Sequence, residues 1–260
     1  MALTNPLKEK LKRGEVAIGV GLRQARTVDI AKAMKTAGYD WLFIDTEHNS
    51  MDLDMAAQIS VAAQDVGVTP IVRVAGYEHW LTSRILDNGA MGVVVPHVDT
   101  AELTAKLVSY VRYPPVGHRS VTSALPQIDF QTLPLKDTTS QINDATMLVV
   151  MTESPQSVEN IDKIAATKGL DGILVGTNDL CMELGVPGQL DHPKVISAYE
   201  KILAACKKNG LFPGLGGVYD PKLLERYIKM GFRMILAGSD LGFMMSAARD
   251  RAKAIRSYAV

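Results

Sequence analysis

Cysteine is almost missing from this chain: its 260 residues hold two, Cys181 and Cys206. Two thiols outside any C-x-x-C cannot build a disulfide framework, and a reducing compartment, the cytoplasm, is the expected location. Net charge is missing too, with 28 Lys and Arg set against 28 Asp and Glu. A neutral chain with no basic run excludes nucleic acid or an anionic membrane surface as the main partner and leaves a small molecule. No run approaches 18 uninterrupted apolar residues, so no membrane span is expected. The first ten residues, Met1 to Lys10, lack the apolar stretch of a signal peptide. There is no repeat longer than a strand–helix unit, no low-complexity tract and no linker.

What is present is an alternation. Eight short apolar runs read as strands: Val16–Val20, Trp41–Ile44, Ile71–Val74, Gly92–Pro96, Met147–Met151, Gly172–Val175, Phe212–Leu215 and Met234–Ala237. Most are apolar on both faces, as parallel strands covered by helices must be. Between them lie amphipathic stretches at Asp29–Thr36, Leu53–Val66, His79–Asp87, Ala101–Val111, Gln156–Ala166, Lys194–Asn209, Pro221–Met230 and Leu241–Ser257. Several stop at a glycine suited to a left-handed cap: Gly38, Gly67, Gly169, Gly210 and Gly231. Eight units in one chain of this length predict a single α/β domain over residues 1–260, a (β/α)₈ TIM barrel. An open doubly wound sheet is the rival. It commonly carries a glycine-rich G-x-G-x-x-G turn after its first strand, and Gly21-Leu22-Arg23-Gln24-Ala25-Arg26 is not one. The stretch Tyr113–Thr146 reads as a long irregular loop, expected to be a lid or a subunit contact.

A barrel of this kind keeps its chemistry at the C-terminal ends of the strands. The polar residues there are Arg23 and Arg26; Asp45, Glu47 and His48; Arg73; His97 and Asp99; Glu153; Gly176-Thr177-Asn178-Asp179; and Ser239-Asp240. None is a lysine, so no Schiff-base chemistry is implied. Glu153 and Asp179 follow adjacent strands, and two carboxylates aimed at one spot need a cation or a proton between them. A hard divalent cation, Mg²⁺ or Mn²⁺, suits oxygen ligands. Each carboxylate could instead cap the helix that follows it, and spacing leaves both readings open. Asp45 near His48 suits an oriented general base, against a loop histidine with no chemical role. Arg73 closes an apolar strand, where a cation needs an anionic partner. That partner is either Asp45 or, as favoured here, a substrate carboxylate or oxyanion. The backbone at Gly176, Thr177 and Asn178 could cradle a carboxylate. Arg23 or Arg26 could bind a distal acidic group, or both could be surface arginines.

The residues that carry a resemblance are Gly38-Tyr-Asp-Trp-Leu-Phe-Ile-Asp-Thr-Glu-His48, Pro70-Ile-Val-Arg73, Val94-Val-Pro96, Arg112-Tyr-Pro-Pro-Val-Gly-His-Arg119, Glu153, and Gly172-Ile-Leu-Val-Gly-Thr-Asn-Asp-Leu180. In order and spacing the chain, from about Gly19 to Ala247, resembles the metal-dependent class II aldolases of the HpcH/HpaI type, typified by 2,4-dihydroxyhept-2-ene-1,7-dioate aldolase. The resemblance implies a barrel of the phosphoenolpyruvate/pyruvate type. It implies aldol cleavage or condensation through the enolate of pyruvate or a related 2-oxo acid with an aldehyde. It implies a divalent metal (Mg²⁺, Mn²⁺ or Co²⁺) on Glu153 and Asp179, His48 as base with Asp45 behind it, and Arg73 on the 2-oxo oxygen. Gly176 and Asn178 would cradle the substrate carboxylate, and the chain would form a hexamer built from dimers that exchange the last helix. The chain departs from the family pattern at Thr46 for Gly, His97 for Met, Ser120 for Gly, Met151 for Gln, and Thr177-Asn178 for Pro-Ala. Those changes bear on the substrate more than on the reaction class. An oxaloacetate decarboxylase or a macrophomate-synthase-like enzyme on the same site is the alternative, and a non-catalytic barrel the reading furthest from it.

Overall fold

The computed structural model of the chain describes residues 3–258. Eight strands run in parallel: β1 (Ala17–Leu22), β2 (Trp41–Asp45), β3 (Thr69–Arg73), β4 (Gly92–Val95), β5 (Met147–Thr152), β6 (Gly172–Gly176), β7 (Phe212–Gly216) and β8 (Met234–Ser239). They pair in sequence order, and β8 returns to β1, closing the barrel. The open-sheet rival is therefore excluded. Each run met in the sequence is a strand, within two residues at either end. None of the described helices is long and apolar enough to cross a membrane.

Strand alternation sorts the apolar residues into two layers. One set, including Val20, Leu42, Ile44, Val72 and Ile173, packs outward against the helices. The other, including Trp41, Phe43, Ile71, Val149, Met151 and Leu174, fills the barrel interior. Trp41 fits there because β1 carries glycine opposite it: a Cβ on Gly19 would stand 2.1 Å from the indole ring. The lower end is closed by a helix the sequence pattern did not reveal, Pro6–Lys12, whose Leu7 and Leu11 join the interior layer. Asn5 caps that helix through Lys8 N–H and also donates to Met91 and Ala145 carbonyls at 3.2 and 2.8 Å.

Two other expectations need correction. The segment Tyr113–Thr146 is no lid. It contains a helix, Leu135–Ala145, and packs low on the barrel: Gln127 donates to Leu86 and Ala90 carbonyls, and Gln141 accepts Leu3 N–H. Its polar composition hid a helix whose Ile142 and Ala145 are buried while its other face is wet. The stretch Gln156–Ala166 is two short helices, Pro155–Glu159 and Ile161–Ala165, meeting at Asn160, whose side chain is drawn to the Asp99 carbonyl at 2.8 Å.

Candidate active site

The strand register decides which rim residues meet. Residues two apart on a strand share a face, so the interior layer that contains Phe43 continues upward to Asp45, and that of Ile71 to Arg73. Asp45 and Arg73 are direct cross-strand neighbours. On β5 the same alternation carries Met151 to Glu153, beside Gly176 of β6. Gly21, Gly176, Gly216 and Gly238 occupy the top layer without side chains, and a cavity of about 180 Å³ remains there. Phe43, Met151, Leu174 and Leu236 form its apolar floor, and Arg23, Asp45, His48, Arg73, Glu153, Asn178, Asp179 and Tyr219 its polar wall. Two wider hollows, of about 730 and 540 Å³, flank the segment Thr122–Leu133, but neither is lined by a histidine, lysine or arginine.

Arg73 is buried and held in a fork. Its Nε donates to Asp45 Oδ1 at 2.9 Å and its Nη2 to Oδ2 at 2.7 Å. Nη1 lies 2.9 Å from Glu47 Oε2, off the line of its N–H, so that contact is an ion pair without a hydrogen bond. The guanidinium sits 5.1 Å from the Phe43 ring centroid. Five N–H groups minus those two leave others free to face the cavity. The two sequence readings of Arg73 are thus compatible: the carboxylate partner sets the aim of the cation.

That arrangement corrects the expected role of Asp45. Its carboxylate is committed to Arg73 and to the N–H of Glu47, with a long contact of 3.4 Å to the His48 backbone. It makes no hydrogen bond to the His48 ring. Burial alone would raise its pKa; Arg73 and those N–H groups outweigh burial and hold it below the ordinary carboxylate value. The carboxylate near the His48 imidazole is Glu47, at 3.8 Å from Nε2. His48 itself is half open and lines the cavity.

Glu153 is 2% exposed. Burial raises its pKa; the His97 N–H and ring charge oppose this, and the Asp179 charge adds to it. The capping reading fails for Glu153, because the cap of Pro155–Glu159 is Ser154, in a reciprocal box with Ser157. Asp179 lies in the first turn of the helix Thr177–Glu183, after the cap residue Gly176. Glu153 Oε2 accepts His97 N–H at 2.8 Å, and Oε1 faces Gly176, where a Cβ would stand 2.4 Å away. A buried carboxylate with a raised pKa, kept clear by a glycine and paired with a second carboxylate, asks for a proton or a cation. Among the described residues no cluster of three or more His, Cys, Asp or Glu surrounds a common point. A pair suits a hard cation that keeps several waters, and does not suit a closed structural cage.

Three site features involve rim residues that carried no separate role in the sequence reading. Glu47 bridges Arg73 and the His48 ring; its position two residues after Asp45 was the available signal. His97 holds Glu153 from a left-handed backbone, φ 51°, which aims its N–H inward, with its Nδ1 3.4 Å from Glu153 Oε2. No local pattern announces that dihedral. Asp99 and Asp240, rim residues with no role assigned from sequence, are loop anchors. Asp99 accepts the Ser154 hydroxyl at 2.5 Å beside Glu153.

The proposed carboxylate cradle lies on the cavity through the backbone of Gly176 to Asp179, whose helix-start N–H groups lack intrahelical partners. Thr177 contributes backbone alone, since its hydroxyl is buried against Tyr199 Oη at 2.7 Å. Arg23 reaches the cavity. Arg26 does not line it, and bonds instead to the Ala25 carbonyl and Ser50 hydroxyl.

Comparison with known proteins bears on the fold and the family. A family model described as HpcH/HpaI aldolase/citrate lyase matches residues 23–247. The chain is 34% identical over 263 residues to a 4-hydroxy-4-methyl-2-oxoglutarate aldolase of Hapsidospora irregularis, spanning 99% of this chain and 97% of that one. Among solved structures, an HpcH/HpaI aldolase from Desulfitobacterium hafniense superposes with a TM-score of 0.91 at 30% identity, covering 96% of each chain. Macrophomate synthase superposes with a TM-score of 0.82 at 28% identity, over 98% of this chain and 91% of that one.

Proposed function

This chain belongs to the HpcH/HpaI aldolase/citrate lyase family and is an aldolase, and on that premise we propose that it makes and breaks a carbon–carbon bond through the enolate of pyruvate or a related 2-oxo acid. The observation that carries the reading is the meeting of the forked Arg73 and the Glu153–Asp179 pair on one glycine-cleared cavity. Glu153 and Asp179 are the residues that would hold a divalent cation, Mg²⁺, Mn²⁺ or Co²⁺. When bound, such a cation supplies Lewis-acid polarisation of the 2-oxo acid.

The chain's own groups do the rest. The free N–H groups of Arg73 stabilise negative charge as it develops on the 2-oxo oxygen, and Asp45 keeps them aimed without reorganisation. The backbone from Gly176 to Asn178 receives the substrate carboxylate. Phe43, Met151, Leu174 and Leu236 exclude water below C3. His48, steadied by Glu47, takes the proton from the C4 hydroxyl in cleavage and returns it in condensation. Arg23 stands ready for the far end of the substrate. In solution the chain forms a hexamer in which the last helix, Asp240–Tyr258, docks on a neighbour; its exposed Phe243, Met244, Met245 and Ile255 support that.

The test is exchange of the C3 protons of pyruvate with solvent deuterium, followed by proton NMR with Mn²⁺ or Mg²⁺ and with chelator. Metal-dependent exchange is expected; its absence with both cations sinks the enolate reading. The likeness to macrophomate synthase favours one second reading, decarboxylation of oxaloacetate through the same enolate. CO₂ release from oxaloacetate faster than any aldol cleavage would select it.

A further inference from the structure

Asp240 opens the last helix, and its carboxylate accepts three consecutive backbone N–H groups from the segment after β1: Arg23 at 2.8 Å, Gln24 at 2.9 Å and Ala25 at 2.7 Å. Hydrogen bonds to a charged acceptor are about twice as strong as neutral ones. The triple clamp fixes a backbone that lies beyond the strand end and would otherwise move with solvent. What it fixes is Arg23. That side chain lines the cavity, yet among the described residues its guanidinium has no hydrogen bond and no ion-pair partner. Arg26, three residues on, is already engaged.

Tyr219, which follows β7, lines the same cavity. It is 53% exposed by surface, yet the walls of the mouth crowd its phenol enough to raise its pKa, while the positive charges of Arg23 and Arg73 pull it back. The barrel order sets β7, β8 and β1 side by side, across from the β3–β5 arc that carries Arg73 and Glu153. A substrate held at C1 and C2 by the β3–β6 side therefore presents its distal end to Arg23 and Tyr219.

We propose that Arg23, with the Tyr219 hydroxyl, receives a carboxylate on the acceptor, so that the acceptor is an oxo acid and not a neutral aldehyde, and that Asp240 is the residue that positions Arg23. The proposal rests on the enolate reading above. In the step itself, C3 of the enolate bonds to the acceptor's carbonyl carbon, the carbonyl oxygen takes a proton, and the acceptor's carboxylate is carried through unchanged.

The test compares KM for glyoxylate and for propionaldehyde, with pyruvate and Mn²⁺, in the wild type and in Arg23→Gln, Tyr219→Phe, Asp240→Asn and Arg26→Gln. Arg23→Gln is expected to raise the glyoxylate KM about tenfold more than the propionaldehyde KM, the size of one lost charge-assisted contact. Tyr219→Phe moves the same ratio by a smaller factor. Asp240→Asn moves it with a KM change larger than its kcat change, whereas a merely structural anchor would lower kcat for both acceptors alike. Equal KM changes for the two acceptors in Arg23→Gln, or a ratio moved by Arg26→Gln in its place, overturn the proposal. Wild-type exchange of pyruvate C3 protons separates the two levels. No exchange removes the enolate reading and this subsite together; exchange with an unmoved ratio removes the subsite alone.

Discussion

Arg73 and Asp45 show how a buried charge is made useful. A cation at the top of an apolar barrel is costly until it is paired, and pairing through Nε and Nη2 consumes only part of its donor set. Lysine offers a point charge that cannot keep both bonds. Arg73→Lys is expected to slow pyruvate C3 exchange by roughly 10²–10³-fold, the range for a lost oxyanion donor. Arg73→Ala strands Asp45 and Glu47 and should cost about 3–5 kcal/mol in urea unfolding. Asp45 also sets a pH dependence. Its pKa is lowered on folding, so its stabilisation is present above the unfolded value and drains as pH falls through the folded one. The window lies below about pH 4. Asp45→Asn should flatten the acid end of the stability curve, and an unchanged curve would refute the assignment. Gly176 tests the proposed cation site without replacing either carboxylate. Gly176→Ala puts a methyl on Glu153 Oε1, and calorimetry should find Mn²⁺ bound about 10- to 100-fold more weakly, the usual range for disturbed support of a metal ligand.

At the scale of elements, the barrel's two ends have separate tasks. The top layer gives up side-chain volume at four glycines, which leaves the cavity open. The bottom is sealed by Pro6–Lys12, whose Leu7 is 1% exposed. Leu7→Ala opens a void in the interior and should lower unfolding stability by about 2–5 kcal/mol, read from urea melts. The same two-end logic explains why the segment Tyr113–Thr146 misled as a lid. Its Gln127 bonds to backbone low on the barrel flank, far from the C-terminal strand ends.

For the whole molecule, the last helix is the part a lone chain leaves unsatisfied. None of its described residues is buried, and Met244 and Ile255 are more than half exposed. Contiguous apolar surface of this kind marks an interaction site. Light scattering should report a hexamer, and removal of the residues after Leu241 a smaller species; a monodisperse full-length monomer would refute the assembly.

The sequence by itself determined the number of strands, the parallel barrel and the set of rim residues. Strand order, apolar content and period-two alternation are local properties, and a closed parallel barrel forces strand ends to one face. Tertiary structure decided who meets whom there. It paired Asp45 with Arg73, because register places the two directly opposite, and set Glu47 between Arg73 and the His48 ring. It turned Thr177 into the core, aimed His97 through a positive φ, and set Asp240 as an anchor more than 200 residues from the loop it holds. The last of these depends on closing the barrel between β8 and β1, and no local window of sequence contains both partners.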